Sequence, residues 1–523
     1  MLWFALHLPL LSLEAFCATL PADAAARPVV LLAEHRVHCA NRVAAGCGIR
    51  PGMQRATALA LAAELLPAEA NAARDAAALQ AVAHAALAFT PAVTLHDTQT
   101  VLLEVQASLR LFGGLVALHR RLADALAPLG HHVQIAAAPT ALGAALLAQW
   151  FPVRPGPGAG ASAGPGGAVA LVSGPHVTDL AALQALLDAA PLALLGPGRR
   201  HGETLQGIGL HRLADLRRLP REGLARRFGT ELLDELDRAL GHQPDLRRWV
   251  LLPARFDSRL ELFARADSSE QVLHGASVLL ARLVAWAQAQ HARLGAFTLR
   301  MRHERQRQAT VPATELQVAL AEPSLDPSHL QLLLRERLAR VVLAAPTLEL
   351  QLQCRHLVAG EAPNGELFPT TASEALGLAR LLERLRARLG DDQVQRLVAV
   401  ADHRPECASR AVPAQGAGAA AGLMAVPRRP TVRAGALPLH RPAWLLPEPL
   451  PLAERNTLPL LQGRPLQLLS GPERIETGWW DGATAARDYF IAQAEDASLV
   501  WVWRSRLPEA PGEVQWFLQG RFG

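Results

Sequence analysis

Residues Val93 to Gly114 read VTLHDTQTVLLEVQASLRLFGG, and this stretch decides the predicted fold. Thr100 to Gln106 is rich in β-branched and aliphatic residues and follows a polar run, which predicts a buried strand. After the two glycines, the pattern predicts a helix near Leu115 to Leu126 and a second strand from His132 to Ala137. Strands that alternate with helices in this way indicate an α/β (α+β) fold.

The same stretch resembles the palm domain of Y-family (translesion) DNA polymerases. In that family a strand reading S-x-D-E-x-x-L-D-V is followed by a helix and by a strand that ends in A-x-N-K. Leu103-Glu104-Val105 matches the L-D-V end, so the paired D-E of the family falls on Gln99 and Thr100. The chain resembles in particular a branch of polymerase-like proteins from a bacterial mutagenesis system. The resemblance implies a palm, fingers, a helix-hairpin-helix thumb and a little finger.

Composition sets the outer limits of what the chain does. Its 523 residues have room for three or four domains, and half of them are hydrophobic. All 52 basic residues are arginine, and the net charge of +5 with a pI of about 9.4 is compatible with nucleic-acid binding. The five cysteines form no CxxC pair, which argues against a zinc site or a disulfide framework and favours a reducing, cytoplasmic setting.

The N-terminus predicts a first strand from Leu2 to Leu8 rather than a signal peptide, because it has no basic start and Glu14 interrupts the apolar run. No uninterrupted apolar run reaches the ~18 residues that span a bilayer. The family counterpart of this strand reads D-x-D-x-F-F-A-x-V-E, and Leu13-Glu14 matches V-E. The resemblance therefore places Ala5 where the first metal-binding aspartate belongs, and Leu10 where a bulky aromatic residue screens the sugar.

The fingers are predicted from the residues that follow. Val29 to Ala33 predicts a short strand, and Gly48 to Met53 (GIRPGM) matches a G-V-x-x-G-M turn of the family, in which glycine tolerates positive φ. Taken alone, this turn is also compatible with an ordinary loop before a helix. The family's Y-E-A-R, whose Tyr and Arg hold the incoming triphosphate, is replaced by Arg42-Val43-Ala44-Ala45. Asn71 to Ala88 predicts a helix, which completes the β-α-β-β-α-β order of a ferredoxin-like palm.

Leu194 to Asp215 resembles the helix-hairpin-helix of the thumb. The turn between Gly196 and Gly198 is expected to leave backbone N–H groups at a helix N-terminus, where they bind DNA phosphate without reading sequence. Arg199 and Arg200 are expected to add salt-dependent phosphate contacts. The alternative is a plain helical turn with a solvated basic face.

Residues 250–357 predict a second α/β sandwich, with strands near 258–265, 296–302, 315–320 and 347–355. This part resembles the little finger, the domain with which Y-family polymerases grip duplex DNA. Arg300, Arg302, Arg305 and Arg307 alternate along one strand region, and period-two spacing places all four on one face. We expect this face to bind DNA; the alternative is an ordinary solvated face.

A short motif follows the little finger. Asn364-Gly365-Glu366-Leu367-Phe368 resembles the Q-x-x-L-F motifs that bind the bacterial sliding clamp by placing two apolar side chains in a pocket. Leu367 and Phe368 fit this role, whereas Asn364 stands where Gln is usual. The alternative is a buried loop anchor.

The C-terminal residues 437–523 form a separate predicted module that holds six of the ten tryptophans, at positions 444, 479, 480, 501, 503 and 516. Trp501-Val502-Trp503 predicts a strand, and Glu374 to Leu389 predicts an amphipathic helix. The predicted boundaries are palm and fingers 1–153 (fingers about 27–70), flexible insertion 154–169, thumb 170–245, little finger 250–357, clamp-motif segment with amphipathic helix 358–410, linker 411–436 and C-terminal module 437–523.

Nucleotidyl transfer needs two Mg²⁺ ions held by carboxylates. The three acids that hold them in the family fall here on Ala5, Gln99 and Thr100, so the resemblance implies a protein without catalytic residues or a bound cofactor. It further implies a cytoplasmic, nucleoid-associated adaptor of the SOS response. Its partners would be primer–template DNA, the sliding clamp, an ImuA-like RecA-related protein and an error-prone C-family DNA polymerase, with no membrane.

Two other functions remain open from the sequence. One is a divergent but active polymerase that uses Asp97 with Glu14 or Glu104. The other is a DNA-binding protein without catalysis and without replication partners.

Overall fold

A computed structural model describes residues 1–21, 24, 26–151, 171–304, 312–359, 371–414, 441–442, 444–506 and 515–522. The chain divides into two units, Met1–Thr370 and Thr371–Gly523, and each is described by itself. The described strands of the first unit are β1 (Trp3–His7), β2 (Val29–Ala33), β3 (Arg36–Ala40), β4 (Leu66–Glu69), β5 (Val93–Leu95), β6 (Thr100–Glu104), β7 (Val133–Ala138), β8 (Leu171–His176), β9 (Phe256–Ala266), β10 (Ala292–His303), β11 (Ala313–Ser324) and β12 (Thr347–Ala359). Its described helices are α1 (Leu11–Cys17), α2 (Arg42–Gly46), α3 (Arg55–Leu61), α4 (Ala72–Leu87), α5 (Leu109–Phe112), α6 (Leu115–Leu126), α7 (Ala141–Trp150), α8 (Leu180–Asp188), α9 (Gly196–Arg200), α10 (Gly202–Gly207), α11 (Leu213–Arg217), α12 (Arg221–Phe228), α13 (Glu231–Leu240), α14 (Ser269–Ala289) and α15 (Pro327–Leu338).

The palm is a sheet with the strand order β5-β6-β1-β7-β8. Strands β6, β1 and β7 pair antiparallel in its centre, where their aliphatic side chains are buried. With α4 and α6, the first four strands have the predicted β-α-β-β-α-β order, so the ferredoxin-like palm is confirmed. The fifth strand, β8, pairs parallel with β7 and holds residues 171–176, which the sequence had placed in the thumb. Its Gly174 and Pro175 are unusual in a strand, which explains why the pattern did not reveal it.

The two faces of the palm sheet bury different residues because side chains alternate along a strand. On one side, Trp3, Ala5 and Leu102 pack against α7 and the leucines of the thumb. This side is called the α7 face. On the other side, Phe4 and Leu103, among others, pack against α4 and α6. This second side is called the α4 face.

The fingers are a small sheet of order β3-β2-β4 with α2 and α3 packed beside it. The predicted strand at Val29 to Ala33 is confirmed. Gly48 and Gly52 have φ of +88° and +87°, so the predicted turn with left-handed glycines is present. Asn41 caps α2 through its side chain, which accepts a hydrogen bond of 2.9 Å from the N–H of Ala44.

The thumb consists of the helices α8 to α13, which share one leucine-rich core with the α7 face of the palm. Gly143 of α7 allows this close contact, because a Cβ there would lie 2.8 Å from the Leu183 side chain. Thr140, which caps α7, also donates a hydrogen bond of 2.7 Å to the carbonyl of Ala239 in α13. The thumb is thereby fixed on the α7 face.

The little finger is a four-stranded sheet of order β11-β10-β12-β9 with α14 and α15 on one side. All four predicted strands are present, and the predicted strand near 315–320 is β11. Ser268 and Gln271 form a capping box at the start of α14. Among the described helices, α14 alone is long and apolar enough to cross a membrane by composition, and 67% of its apolar window is buried inside the protein.

The second unit contains one long helix, a hairpin and a seven-stranded antiparallel sheet of order β17-β16-β15-β21-β20-β19-β18. The predicted amphipathic helix and the predicted Trp501–Trp503 strand are both present, as α16 and within β20. The described elements are α16 (Thr371–Leu389), β13 (Gln395–Ala399), β14 (Ser409–Pro413), β15 (Trp444–Arg455), β16 (Leu458–Leu461), β17 (Arg464–Pro465), β18 (Gln467–Thr477), β19 (Ala485–Gln493), β20 (Leu499–Ser505) and β21 (Trp516–Arg521).

Candidate functional site

The strands that carry the catalytic carboxylates in the family, β1 and β6, lie side by side here. Their register pairs Trp3 with Glu104, Ala5 with Leu102 and His7 with Thr100. Ala5 is fully buried in the hydrophobic core of the α7 face. The position of the first family aspartate therefore holds a methyl group that packs in the core.

His7 and Thr100 close the end of this strand pair. The Nδ1 atom of His7 lies 3.0 Å from Oγ1 of Thr100, and Thr100 is fully buried. Burial lowers the pKa of His7, which the nearby Asp97 opposes and His96 reinforces. The imidazole is thus held neutral at pH 7 and bound to a hydroxyl, and this pair is a poor site for Mg²⁺, which prefers carboxylate oxygens.

Asp97 lies in the turn before β6 rather than on the strand. Its Oδ1 accepts a hydrogen bond of 2.8 Å from the backbone N–H of Gln99, and its Oδ2 accepts one of 3.1 Å from Nε2 of Gln149 in α7. Both carboxylate oxygens of Asp97 therefore already accept hydrogen bonds from other residues of the palm.

Glu14 is a buried carboxylate on α1 that lies beside His131 and His132, the two residues before β7. It accepts a hydrogen bond of 3.0 Å from the backbone N–H of His132, and it contacts the side chains of His132 and His131. Burial alone would raise the pKa of Glu14, but the hydrogen bonds from the two histidines outweigh it and hold that pKa below its ordinary value. The hydrogen bond to Glu14 in turn raises the pKa of His132.

Glu104 lies at the opposite end of β6 from Asp97. It is four residues beyond Thr100, which corresponds to about 13 Å along a strand. One of its oxygens accepts hydrogen bonds of 3.4 and 3.2 Å from the backbone N–H groups of Leu2 and Gln106. The three acids nearest to the expected site thus occupy different places on the palm.

A pair of Mg²⁺ ions does not fit the residues that are present. Within the described ranges, no group of three or more His, Cys, Asp or Glu side chains is arranged to hold a metal ion. In the fingers, the family arginine that binds triphosphate is replaced by Ala45, near the end of the short helix α2. The side chains of Ala5, Gln99, Thr100 and Ala45 thus offer neither a carboxylate for Mg²⁺ nor a guanidinium for a triphosphate.

The hairpin turn of the thumb differs from its expected role. The N–H of Gly196 is not free, because it donates a hydrogen bond of 3.2 Å to Oε1 of Glu235, whose pKa is raised by burial. A Cβ at Gly198 would lie 2.0 Å from the carbonyl oxygen of Leu192, so this glycine is required for close backbone packing. The sequence analysis did not foresee that the carboxylate of Glu235 lies beside the turn and accepts this hydrogen bond.

The two arginines that follow this turn are both exposed. Arg200 forms an ion pair with Glu231, which neutralises part of its charge. Arg199 lies close enough to Glu235 to oppose, in part, the rise that burial causes in the pKa of Glu235. Positive charge on this side of the thumb is therefore partly balanced.

The outer face of the little-finger sheet, away from α14 and α15, carries both arginine and carboxylate side chains. Arg300 lies 3.6 Å from Glu315, and Arg302 lies 3.2 Å from Glu349. Cross-strand pairing forms three rows on this face: Arg259, Gln351, Arg300 and Glu315; Glu261, Glu349 and Arg302; and Asp257, Gln353, Thr298 and Gln317. Three arginines thus share the face with four carboxylates. Arg300 and Arg302 do share one face as predicted, but among the paired residues just named the carboxylates outnumber the arginines.

Part of the predicted site lies outside the described residues. This holds for Arg305 and Arg307 of the arginine series and for the whole clamp-like motif Asn364 to Phe368. Their assignments remain predictions.

The second unit contains a polar network that the sequence did not reveal. In the loop of the β13–β14 hairpin, Arg404 binds Asp402 and reaches Asp481 of the large sheet at 2.6 Å. Glu406 of the same loop binds Arg487 at 2.9 Å and accepts a hydrogen bond of 2.9 Å from Nε2 of Gln519. The hairpin therefore packs on the C-terminal sheet, although the sequence placed residues 395–410 in the clamp-motif segment and residues 411–414 in the linker.

Several known proteins are similar to parts of this chain. Residues 14–149 match the family described as "IMS: impB/mucB/samB family". Among solved structures, the insertion ternary complex of Dbh DNA polymerase is 15% identical with a TM-score of 0.38, and DinB from Sulfolobus solfataricus is 14% identical with a TM-score of 0.37. Each covers 69% of this chain and 100% of that structure's chain.

A curated relative matches nearly the whole length of the chain. It is Protein ImuB of Caulobacter vibrioides (strain NA1000 / CB15N), 29% identical over 508 residues, which are 91% of this chain and 100% of that protein. Protein ImuB of a second strain, ATCC 19089 / CIP 103742 / CB 15, matches to the same extent. The predicted resemblance is therefore confirmed: residues 14–149 of this α/β chain match the impB/mucB/samB family, and over most of its length the chain is similar to Protein ImuB.

Proposed function

We propose that this chain is a non-catalytic, Y-family polymerase-like adaptor in SOS-induced mutagenic translesion synthesis. The observation that carries the proposal is the β1–β6 strand pair, where Ala5 is buried in the core and Thr100 is bound to His7. A methyl group and a hydroxyl already hydrogen-bonded to a neutral imidazole do not hold two Mg²⁺ ions. Gln99, in the third position, supplies an amide in place of a carboxylate.

The divergent-polymerase alternative needs Asp97 close to Glu14 or Glu104. The geometry does not favour it, because Asp97 is bound by Gln149, Glu14 on α1 is bound by His132, and Glu104 lies at the far end of β6. Two metal ions a few ångströms apart require carboxylates that converge on one point.

The test is a primer-extension assay on the purified full chain with Mg²⁺ or Mn²⁺ and all four dNTPs, with and without the sliding clamp. We expect no extension in any lane. Extension that persists in Ala5→Ser but is lost in Asp97→Asn would overturn the proposal in favour of the divergent polymerase.

We further propose that the adaptor binds primer–template DNA through the thumb and the little finger. In the thumb, exposed Arg199 and Arg200 support this, since arginines bind phosphate with a strong salt dependence. In the little finger, exposed Arg300 and Arg302 support it more weakly, because neighbouring carboxylates balance their charge.

A gel-shift assay across a salt series separates these contributions. Arg199→Ala with Arg200→Ala is expected to weaken binding and to reduce the salt slope by about one unit for each lost phosphate contact. The control is Arg226→Ala with Arg227→Ala on α12, which removes the same charge elsewhere on the thumb. Equal loss in both double variants would mean that only net charge matters and would contradict a site at the hairpin turn.

Sliding-clamp binding through Leu367 and Phe368 is the next part of the proposal. It rests on the motif and on its place directly after the little finger. Leu367→Ala with Phe368→Ala is expected to abolish clamp binding in surface plasmon resonance, and Asn364→Gln is expected to strengthen it. Pro363→Ala is the matched control. Unchanged clamp affinity in the double alanine variant would contradict the assignment.

The remaining partners follow from the similarity to Protein ImuB. We propose an ImuA-like RecA-related protein and an error-prone C-family polymerase as partners of the C-terminal module, in a cytoplasmic, nucleoid-associated complex. Support comes from Trp479 and Trp480, which are exposed by 74% and 56% and are typical of protein interfaces. Salt-sensitive DNA binding without any of these partners would instead favour a simple DNA-binding protein.

A further inference from the structure

The segment between the thumb and the little finger is bound to the edge of the palm. The N–H of Val250 donates a hydrogen bond of 2.8 Å to the carbonyl of Val93 in the edge strand β5. Trp249 stacks on Trp3 of the α7 face, with ring centroids 6.2 Å apart and planes 10° apart, whereas Val250 packs into the core of the α4 face. Neighbouring side chains on opposite faces are the pattern of an added edge strand. We call residues 245–253 the strap.

A buried arginine fixes the start of the strap. Nη1 of Arg247 lies 3.0 Å from Nδ1 of His96, in the loop after β5, and Nη2 lies 2.5 Å from Asp245. The Arg247 side chain is only 11% exposed. Its charge is therefore neutralised within the strap while its second hydrogen bond holds the strap to the palm.

Beyond the strap, the little finger lies against the α4 face. Ala285 of α14 is part of the palm core on that face. Phe263 of β9 packs edge-on against Phe16 of α1, with centroids 5.1 Å apart, and its N–H lies 3.4 Å from the carbonyl of Thr19. Nε1 of Trp286 donates a hydrogen bond of 2.9 Å to the carbonyl of Pro253, which joins α14 to the end of the strap.

This arrangement places the two proposed DNA-binding surfaces on opposite sides of the palm. The thumb shares a core with the α7 face, and the little finger shares one with the α4 face. The outer face of the little-finger sheet points away from α14 and hence away from the palm. A duplex that lies on the thumb therefore does not reach Arg300 and Arg302.

The docked contact has the character of a separable joint. Trp249 and Phe263 are 49% and 45% exposed, so their rings are only half covered. A partly open pocket of about 30 Å³ lies between the end of α1 and the elements β9 and α14, and it is lined in part by Thr19, Leu262 and Gly275. Side chains that line such a pocket lack packing partners on one side, which lowers the cost of separating the two surfaces.

We propose that the strap and the Phe16–Phe263 contact form an autoinhibitory latch, which holds the little finger on the α4 face and must open before the thumb and the little finger bind one DNA duplex. This rests on the proposed DNA binding. Opening the latch raises the fraction of binding-competent molecules, and the apparent affinity for DNA rises by the same factor.

The test compares Trp249→Ala with Phe263→Ala, and independently Val250→Pro, which removes the strap N–H donor. Controls are Leu246→Ala, an exposed strap residue, and Trp444→Ala, an exposed tryptophan of the second unit. Small-angle scattering of the full chain reports opening, hydrogen exchange at residues 249–251 reports release of the strap, and a gel shift with primer–template DNA reports affinity. We expect a larger radius of gyration, faster exchange and roughly fivefold tighter DNA binding in the latch variants only.

The outcomes separate the latch from the proposed function. An unchanged radius and exchange rate in the latch variants overturn the latch. Opened variants with unchanged or weaker DNA binding overturn its autoinhibitory role. If neither the parent chain nor any variant binds DNA, the proposed DNA binding fails, and scattering and exchange alone decide whether the latch exists.

Discussion

Ala5 shows at the scale of one residue how far the palm has moved from a metal site. Its methyl group is fully buried between Leu102 and the small residues of β7, in a core that continues into the thumb. A carboxylate at this position would be buried without a cation. The position therefore no longer tolerates the residue that the family uses there.

We predict that Ala5→Asp does not restore catalysis but lowers the free energy of unfolding by about 3–5 kcal/mol, because it leaves an uncompensated buried charge. Urea denaturation followed by circular dichroism measures this. Ala5→Ser adds a smaller polar group, so its free energy of unfolding is expected to lie between those of the parent chain and of Ala5→Asp. A stable Ala5→Asp variant with an unshifted transition would show that the site is open to solvent.

Glu14 and His132 are expected to make the stability of the palm depend on pH. The pKa of Glu14 is lowered, so its contribution is present above its ordinary value of 4.5 and is lost as the pH falls through the folded pKa. The pKa of His132 is raised, so its contribution is complete below its ordinary value of 6.5 and is lost as the pH rises through the folded pKa. We predict that Glu14→Gln lowers the free energy of unfolding by about 1–3 kcal/mol, and that this loss is largest between pH 4.5 and 6.5.

Denaturation of both proteins across pH 3 to 9 checks this window. Glu64→Gln, in an exposed loop, is the control. A difference between parent and Glu14→Gln that is flat over this range would contradict the assigned ion pair.

Arg282 is a buried cation within the little finger. It is 6% exposed, burial lowers its pKa to about 10, and the one hydrogen bond that the described residues give it is 3.4 Å long, to Oγ of Ser258. We predict that Arg282→Met raises the free energy of unfolding by about 1–3 kcal/mol, since an apolar chain of similar length removes a desolvated charge. Thermal unfolding measures it, with Arg282→Lys as the control that keeps the charge. A destabilised methionine variant would indicate a partner for the guanidinium.

At the scale of elements, the thumb hairpin depends on one glycine. Gly198 lies in α9 where a Cβ would meet the Leu192 carbonyl, whereas Gly223 in α12 has open space around its Cα. We predict that Gly198→Ala destabilises the protein by about 2–3 kcal/mol through overpacking. The control Gly223→Ala is expected to stabilise it by roughly 0.5–1 kcal/mol through helix propensity. Chemical denaturation compares the two, and equal effects would contradict close packing at Gly198.

Sequence patterns predicted those elements whose local signals agree with their tertiary setting. The buried strand β6 and the turn glycines Gly48 and Gly52 are examples, because aliphatic runs and positive φ are encoded within a few residues. Strand β8 was missed because Gly174 and Pro175 disguise it and its pairing with β7 is non-local. The prediction that the N–H of Gly196 is free was wrong, because this N–H binds Glu235, which lies 39 residues further along the chain.

At the scale of the whole molecule, contacts between residues far apart in the sequence are even harder to predict. Period-two spacing placed Arg300 and Arg302 on one face correctly, but the charge of that face depends on Glu315 and Glu349, which come from two other strands. The strap was invisible for the same reason, since Trp249 and Trp3 are far apart in sequence. Residue spacing predicts which side chains share a strand face, and only the assembled sheet decides what they meet.

A buried arginine is one of the residues that hold the hairpin in the second unit. Arg404 bridges Asp402 and Asp481 and lies 5.9 Å from the ring centre of Trp480. We predict that Arg404→Ala lowers the melting temperature of the second unit by several degrees, because it leaves these carboxylates without their cation. It is also expected to weaken partner binding through the Trp479–Trp480 loop. Arg410→Ala, on an exposed position of β14, is the control, and equal melting curves would contradict the bridge.

The uncharged side chains of Ala5, Gln99 and Thr100 have a consequence for the conditions under which we expect the palm to stay folded. A palm that gathers three carboxylates suffers like-charge crowding until divalent ions neutralise it, so its integrity is tied to ion supply. Here Ala5, Gln99 and Thr100 carry no charge to be neutralised. We therefore expect the palm of this chain to keep its fold in the presence of a chelator, independently of the supply of magnesium.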